Sequence, residues 1–171
     1  MCIRDSPCTK IITNDYTAIS EATNNLIALK RNKIILVSSI NNLNVGKQRT
    51  KGYRKAMEQA GLCSVVIESN RNEIENVLLS YAENNAFDAV IALDTDASFA
   101  VYKVTRKLKK NIPNDIAVIG YMSERIATYL TPELTTINQH SFSMGKTAAK
   151  MLLAQLESCL LYTSDAADEV V

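Results

Sequence analysis

The sequence predicts an α/β fold, a doubly wound parallel sheet. Three observations lead there. Short, unbroken apolar runs such as Lys33 to Ser38 (KIILVS) and Ala86 to Leu93 suit strands covered on both faces. Between them lie longer segments with apolar residues at helical spacing. The two kinds alternate along the chain, the pattern of strand–helix–strand crossovers.

Taken in order, Lys10 to Thr13 is a short apolar run that reads as a strand. Tyr16 to Lys30 reads as a helix, with Ile19, Ala22, Leu26 and Leu29 on its inner stripe. After the Lys33 to Ser38 strand, Asn41 to Gly46 is a polar loop. A helix from about Lys47 to Ala60 then turns Tyr53, Ala56, Met57 and Ala60 inward, and Gly61 stops it. Ser64 to Glu68 is a strand, and Glu73 to Glu83 a helix with Ile74, Val77, Leu78 and Tyr81 on one stripe. The Ala86 to Leu93 strand leads into a helix from Asp96 to Lys109, with Ala97, Ala100, Val101, Val104 and Leu108 inward. Pro113 closes it before a strand at Ile116 to Gly120. A short helix around Glu124 to Tyr129, a brief strand at Thr135 to Ile137 and a helix from Ser143 to Glu157 complete the chain. The last helix carries Met144, Ala148, Leu152 and Leu156 on its apolar stripe.

Composition narrows the function. A net charge of +1 leaves no basic footprint for nucleic acid or a membrane surface. Arg106 to Lys110 reads as a solvated helix face. Cys2, Cys8, Cys63 and Cys159 have neither metal-site nor redox spacing, so no metal or cofactor is expected and a reducing, cytoplasmic setting is the default. No apolar run is long enough to span a bilayer.

In open parallel sheets, ligands bind beyond the carboxyl ends of the strands, here after Ser38, Leu93 and Gly120. Asp94 follows its strand directly and can accept hydrogen bonds from ligand hydroxyls or amines. An N-cap role for Asp94 or Asp96 stands level with that reading. Arg49, expected in the first turn of its helix, offers a planar fork of donors to vicinal hydroxyls or a carboxylate. It also opposes the helix dipole there, which calls for a reason.

Enzyme patterns fail by contrast. Gly46-Lys47 resembles a P-loop, but Asn41 stands where glycine is needed and Gln48 follows the lysine. His140, the one histidine, lies in a polar turn with no nucleophile pattern around it and reads as solvated or capping. Asp94-Thr95-Asp96 resembles the nucleophile loop of haloacid-dehalogenase-like phosphatases. The later carboxylates that hold magnesium in those enzymes are replaced by Tyr121-Met122-Ser123.

The segments in order resemble the effector-binding part of the lactose-repressor/galactose-repressor regulators. Asn14-Asp15-Tyr16 with Glu21-Ala22-Thr23 and Leu26-Ile27 is similar to that family's DDYxGAxxATxxLI. Arg49-Thr50-Lys51-Gly52-Tyr53 with Ala56 and Gly61 looks like its RxxGYxxALxxxG, and Asp94 to Ala97 like its DxxA. Ile112 to Tyr121 and Pro132 to Gln139 match its IPxDIAVIGF…PxLTTVxQ, and Met144-Gly145 with Ala148-Ala149 and Leu152-Leu153 its MGxxAAxxLL. Ala18 and Lys30 stand where the family has glycine, and Met122 where a polar residue is usual.

The resemblance implies a periplasmic-binding-protein-like domain of two lobes with a small effector, a sugar or sugar derivative, in the cleft between them. It implies effector contacts for Arg49 and Asp94, with Tyr121 lining the site. DNA binding would lie in a helix-turn-helix outside this chain, and the whole regulator would be a cytoplasmic homodimer. A sugar-binding component of a transport system is the alternative. By the same resemblance, 7–15 ends the first lobe, 16–133 forms the second, and 134–158 returns to the first. The terminal strings, 1–6 and 159–171, resemble translated sequencing-adaptor read-through and are set aside, leaving a native part truncated at its front.

Overall fold

In the computed structural model, residues 11–165 are described, with side chains described to 156. They divide into two compact units, Asn14–Asn138 and a second comprising 11–13 with 139–165. The first unit holds α1 (Asp15–Ala28), β1 (Ile34–Ser38), α2 (Asn44–Gln59), β2 (Val65–Glu68), α3 (Ile74–Asn84), β3 (Ala89–Ala92), α4 (Thr95–Lys107), β4 (Ala117–Gly120), α5 (Glu124–Ala127) and β5 (Thr135–Thr136). The second contains α6 (Ser141–Asp165).

All strand pairs are parallel, in the order β2-β1-β3-β4-β5. From β1 the chain steps outward to β2 and then returns past β1 to β3. The order therefore reverses between β1 and β3, which makes their carboxyl ends the topological switch point.

The period-two pleat explains why both strand faces are apolar. Ile34, Leu36, Ala89 and Ile91 face α1 and α2, where Ile19, Leu26, Tyr53 and Met57 bury. Ile35, Val37, Val90 and Ala92 face the opposite way, against Ile74 and Leu78 of α3 and Ala97, Val101 and Val104 of α4. Tyr53 is buried whole, and its hydroxyl is satisfied by donating to the Ile34 carbonyl at 2.8 Å and accepting from the Val65 amide at 2.9 Å. That one phenol ties α2 to β1 and β2.

Several expectations are corrected. Among the described residues Ile11 to Thr13 form no strand, and Lys10 lies outside them. α2 begins at Asn44, so the expected polar loop ends early and Arg49 sits in the second turn, beyond the strongest reach of the dipole. Leu29 and Ala60, expected inward, fall at helix caps and are exposed, Leu29 by 70 %. Val77 is exposed as well, because α3 buries only Ile74 and Leu78. The segment 134–138, assigned above to the first lobe, pairs with β4 instead: Ile119 lies opposite Thr135, and Leu134 is buried in the α3–α4 side of the core. On α6 nothing is overturned: the apolar stripe is expected to lack a partner sheet, and Leu152 and Leu156 are exposed.

Gly61 ends α2 at φ 69°, with its own amide on the Glu58 carbonyl and the Leu62 amide on the Met57 carbonyl, a left-handed stop that glycine adopts freely. α1 ends with the same bond pattern, Lys30 on Ile27 and Arg31 on Leu26, but the left-handed residue is Lys30 at φ 64°. Its side chain is exposed, so nothing in the packing repays the strain. Lys30→Gly is expected to raise the unfolding free energy by about 1 kcal/mol in urea titration.

Candidate functional site

The carboxyl ends of β1, β3 and β4 gather the three residues singled out by sequence, in different ways. Arg49 is only 4 % exposed. Its Nε donates to Asp15 Oδ1 at 3.0 Å, joining α2 to the start of α1, and its Nη1 donates to the Leu93 carbonyl at the end of β3. The guanidinium lies over the Tyr121 ring, 3.4 Å from its centroid, a cation–π contact made in a buried setting. One side chain thus holds two helices and the ends of two strands together.

Asp94 takes the capping role and a second one. Oδ1 accepts from the Ala97 amide at 2.9 Å, capping α4. Oδ2 accepts from the Ser39 amide at 2.8 Å, and Oδ1 also takes the Ser39 hydroxyl at 2.9 Å. The carboxylate therefore staples the loop after β1 to the loop after β3, across the switch point. Asp96 is turned away into an ion pair with Arg71 at 2.8 Å, so the two aspartates do not form the paired carboxylates of a phosphatase loop.

Tyr121 is buried, and burial pushes its phenol up to about 12, with Arg49 drawing it down and Asp15 raising it. Its hydroxyl has no hydrogen-bond partner among the described residues, nor has the buried Nδ2 of Asn41, whose Oδ1 takes the Thr50 hydroxyl at 3.1 Å. Buried polar atoms without partners are costly and uncommon.

Asn41 also lines a cavity of about 290 Å³ that opens at the carboxyl ends of β1 and β2. Ser38, Ser39, Asn41, Asn42, Glu68, Ser69 and Asn70 line it, a set of hydroxyls, amides and one carboxylate with no apolar member. That inventory of mixed donors and acceptors suits a polyhydroxylated molecule. No group of side chains fit to hold a metal ion occurs among the described residues. Sequence reasoning missed Asp15, Ser39, Asn41 and Asn70. The Asn-rich 41–44 stretch was visible, but its meeting with Asn70 comes only from the pairing of β1 with β2. Met122, which replaces a polar residue, is buried in the apolar core and offers this edge no polar group.

Comparison with known proteins agrees with this fold. Residues 23–168 match the periplasmic binding protein-like domain family. The ribose operon repressor of Bacillus subtilis is 31% identical over 147 residues, covering 84% of this chain and 45% of that protein. The transcriptional regulator CelR of Thermobifida fusca is 27% identical over 152 residues, covering 80% and 42%. Among solved structures, a LacI family transcriptional regulator from Enterococcus faecium with bound ribose superposes with a TM-score of 0.75 at 26% identity, over 85% of this chain and 55% of that one. The chain spans about half the length of the curated relatives it matches.

Two outcomes are expected. Asp94→Ala removes a cap and the staple to Ser39 and should cost about 2–3 kcal/mol in urea unfolding. Tyr53, Tyr102 and Tyr121 all have phenols raised to about 12. Because these lie above the unfolded value of about 10, the stability they hold is complete below pH 10 and lost as pH climbs toward 12. Thermal unfolding followed from pH 9 to 12 should show that fall, together with delayed tyrosinate absorbance.

Proposed function

The chain belongs to the periplasmic binding protein-like domain family, in the form that LacI-type transcriptional regulators carry, and on that premise we propose that it forms one wall of the effector site of a sugar-responsive regulator. The observation that carries this reading is the polar cavity at the carboxyl ends of β1 and β2, lined in part by Asn41, whose amide is unpartnered among the described residues. Ribose bound to the Enterococcus faecium regulator supports a monosaccharide as effector class.

The three residues divide the work. Tyr121 offers its hydroxyl to the effector. Arg49 orients that ring and, through the Leu93 carbonyl, the strand end beside it. Asp94 sets the Ser39 loop and accepts from a sugar hydroxyl with the lone pairs its protein partners leave open. The domain binds and signals, and does not catalyse: the effector is released unchanged, and binding shifts a population between two arrangements of the regulator. In the whole regulator, operator DNA is contacted by a helix-turn-helix outside this chain, in a cytoplasmic homodimer. The operon repressors among the relatives favour this over a transport component. No helix among the described residues is long and apolar enough to cross a membrane.

Tyr121→Phe separates ligand binding from folding, because the hydroxyl it deletes has no partner in the described protein. Calorimetric titration of the full-length gene product with a panel of sugars should show the best ligand weakened about 5- to 30-fold by this change, with stability held within about 0.5 kcal/mol. Unaltered affinity in Tyr121→Phe and in Asp94→Ala would remove the site assignment.

A further inference from the structure

The polar groups around the carboxyl-edge cavity differ in how far their bonding is already used. Ser38 lies opposite Glu68 in the β1–β2 pairing, and the Ser69 amide donates to the Ser38 carbonyl at 3.3 Å, which holds the turn after β2 against the end of β1. Ser38 Oγ accepts from the Ile40 amide, and the Ser39 hydroxyl donates to Asp94. Asn41 Oδ1 takes the Thr50 hydroxyl. Asn70 is engaged at both ends: Oδ1 accepts from the Asn72 and Glu73 amides, and Nδ2 donates to Glu73 Oε2 at 2.8 Å. Most of the hydroxyls and amides here are therefore occupied in shaping the wall.

Asn42 and Glu68 are different. Both line the cavity, both are exposed, and neither side chain makes a hydrogen bond or ion pair among the described residues. Of the two only Glu68 carries charge, and no lysine or arginine lines the cavity to balance it. Arg71, next in the chain to Asn70, is turned to Asp96, with Nε at 3.2 Å and Nη2 at 2.8 Å from Oδ2. Arg49 is taken up by Asp15, the Leu93 carbonyl and the Tyr121 ring. A ligand seated here displaces water from the Glu68 carboxylate. A phosphate or carboxylate on that ligand would meet a like charge with no free guanidinium to offset it. An ammonium group brings the opposite charge and three donors, and its hydrogen bonds to a carboxylate are of the stronger, charge-assisted kind.

We propose that the effector is an amino sugar, a polyhydroxylated ring bearing a protonated amine, and that Glu68 is the residue that selects the amine. This rests on the reading of the cavity as part of the effector site and adds the charge that the site prefers.

Calorimetric titration of the full-length gene product with matched sugars tests it: glucose, glucosamine, N-acetylglucosamine and glucuronate, with the galactose series beside them. In at least one series the amine should bind about fivefold or more tightly than both its parent and its N-acetyl form, with the uronate weakest. Glu68→Gln should shrink the ratio of amine to parent affinity to within about twofold. Glu68→Lys should reverse the order and make the uronate the preferred member, a gain that damage to the fold does not produce. A protein that binds none of the amines, or prefers the uronate, would overturn the proposal, as would an amine preference that Glu68→Gln leaves intact. Tyr121→Phe keeps this separate from the site itself. If that change weakens every member of a series while Glu68→Gln leaves the ratio unmoved, the effector site stands and the selection by Glu68 is overturned alone.

Discussion

The Asp15–Arg49 pair is the constraint from which the rest of the carboxyl edge follows. Both side chains are almost wholly withdrawn from water, and neither charge is tolerable there without the other. Satisfying them requires the first turn of α1, the second turn of α2, the last carbonyl of β3 and the ring after β4 to meet at one point. A buried pair of this kind adds little net stability over a well-packed apolar substitute, but it permits few alternative arrangements of its surroundings. Gly52, one turn along α2 from Arg49, serves the same junction: a Cβ there would strike the Tyr16 carbonyl, so the two helices can approach only over bare backbone.

The topological switch point lies beside that junction. β1 and β3 diverge in their connections here, leaving room above their ends that no crossover covers. Asp94 holds the Ser39 loop there, and Arg49 holds Tyr121 after the neighbouring strand β4. The cavity at the ends of β1 and β2 is lined by hydroxyls, amides and the Glu68 carboxylate. Strong internal bonds thus hold the frame, while the buried Tyr121 hydroxyl and Asn41 amide have no partner among the described residues.

Much of this was legible in the residues. The runs KIILVS and AVIAL appear as β1 and β3 because strands covered on both faces have no polar side to show. The α4 stripe was equally clear, since Ala97, Ala100, Val101 and Val104 keep helical spacing throughout. Asp94 was readable as a cap, but its grip on Ser39 was not, as the two are 55 positions apart in the chain. Arg49 was seen as a site residue, while its burial depends on Asp15, 34 positions away, and no local pattern announces that. Leu29 and Val77 misled because periodicity says which face a residue occupies and not where the cover ends. Lys30 shows the reverse: its departure from glycine was visible in the sequence, and the left-handed turn that makes the departure matter appears only in the fold.

The most direct test is a double-mutant cycle on Asp15→Ala and Arg49→Met, read as urea unfolding free energies of the chain. If the pair organises the edge, each single change leaves the other group buried or its partners unmet and costs about 3–5 kcal/mol. The double variant should then cost much less than the sum, giving a coupling of about 2–3 kcal/mol. A coupling below about 0.5 kcal/mol, with the two costs simply adding, would contradict the account.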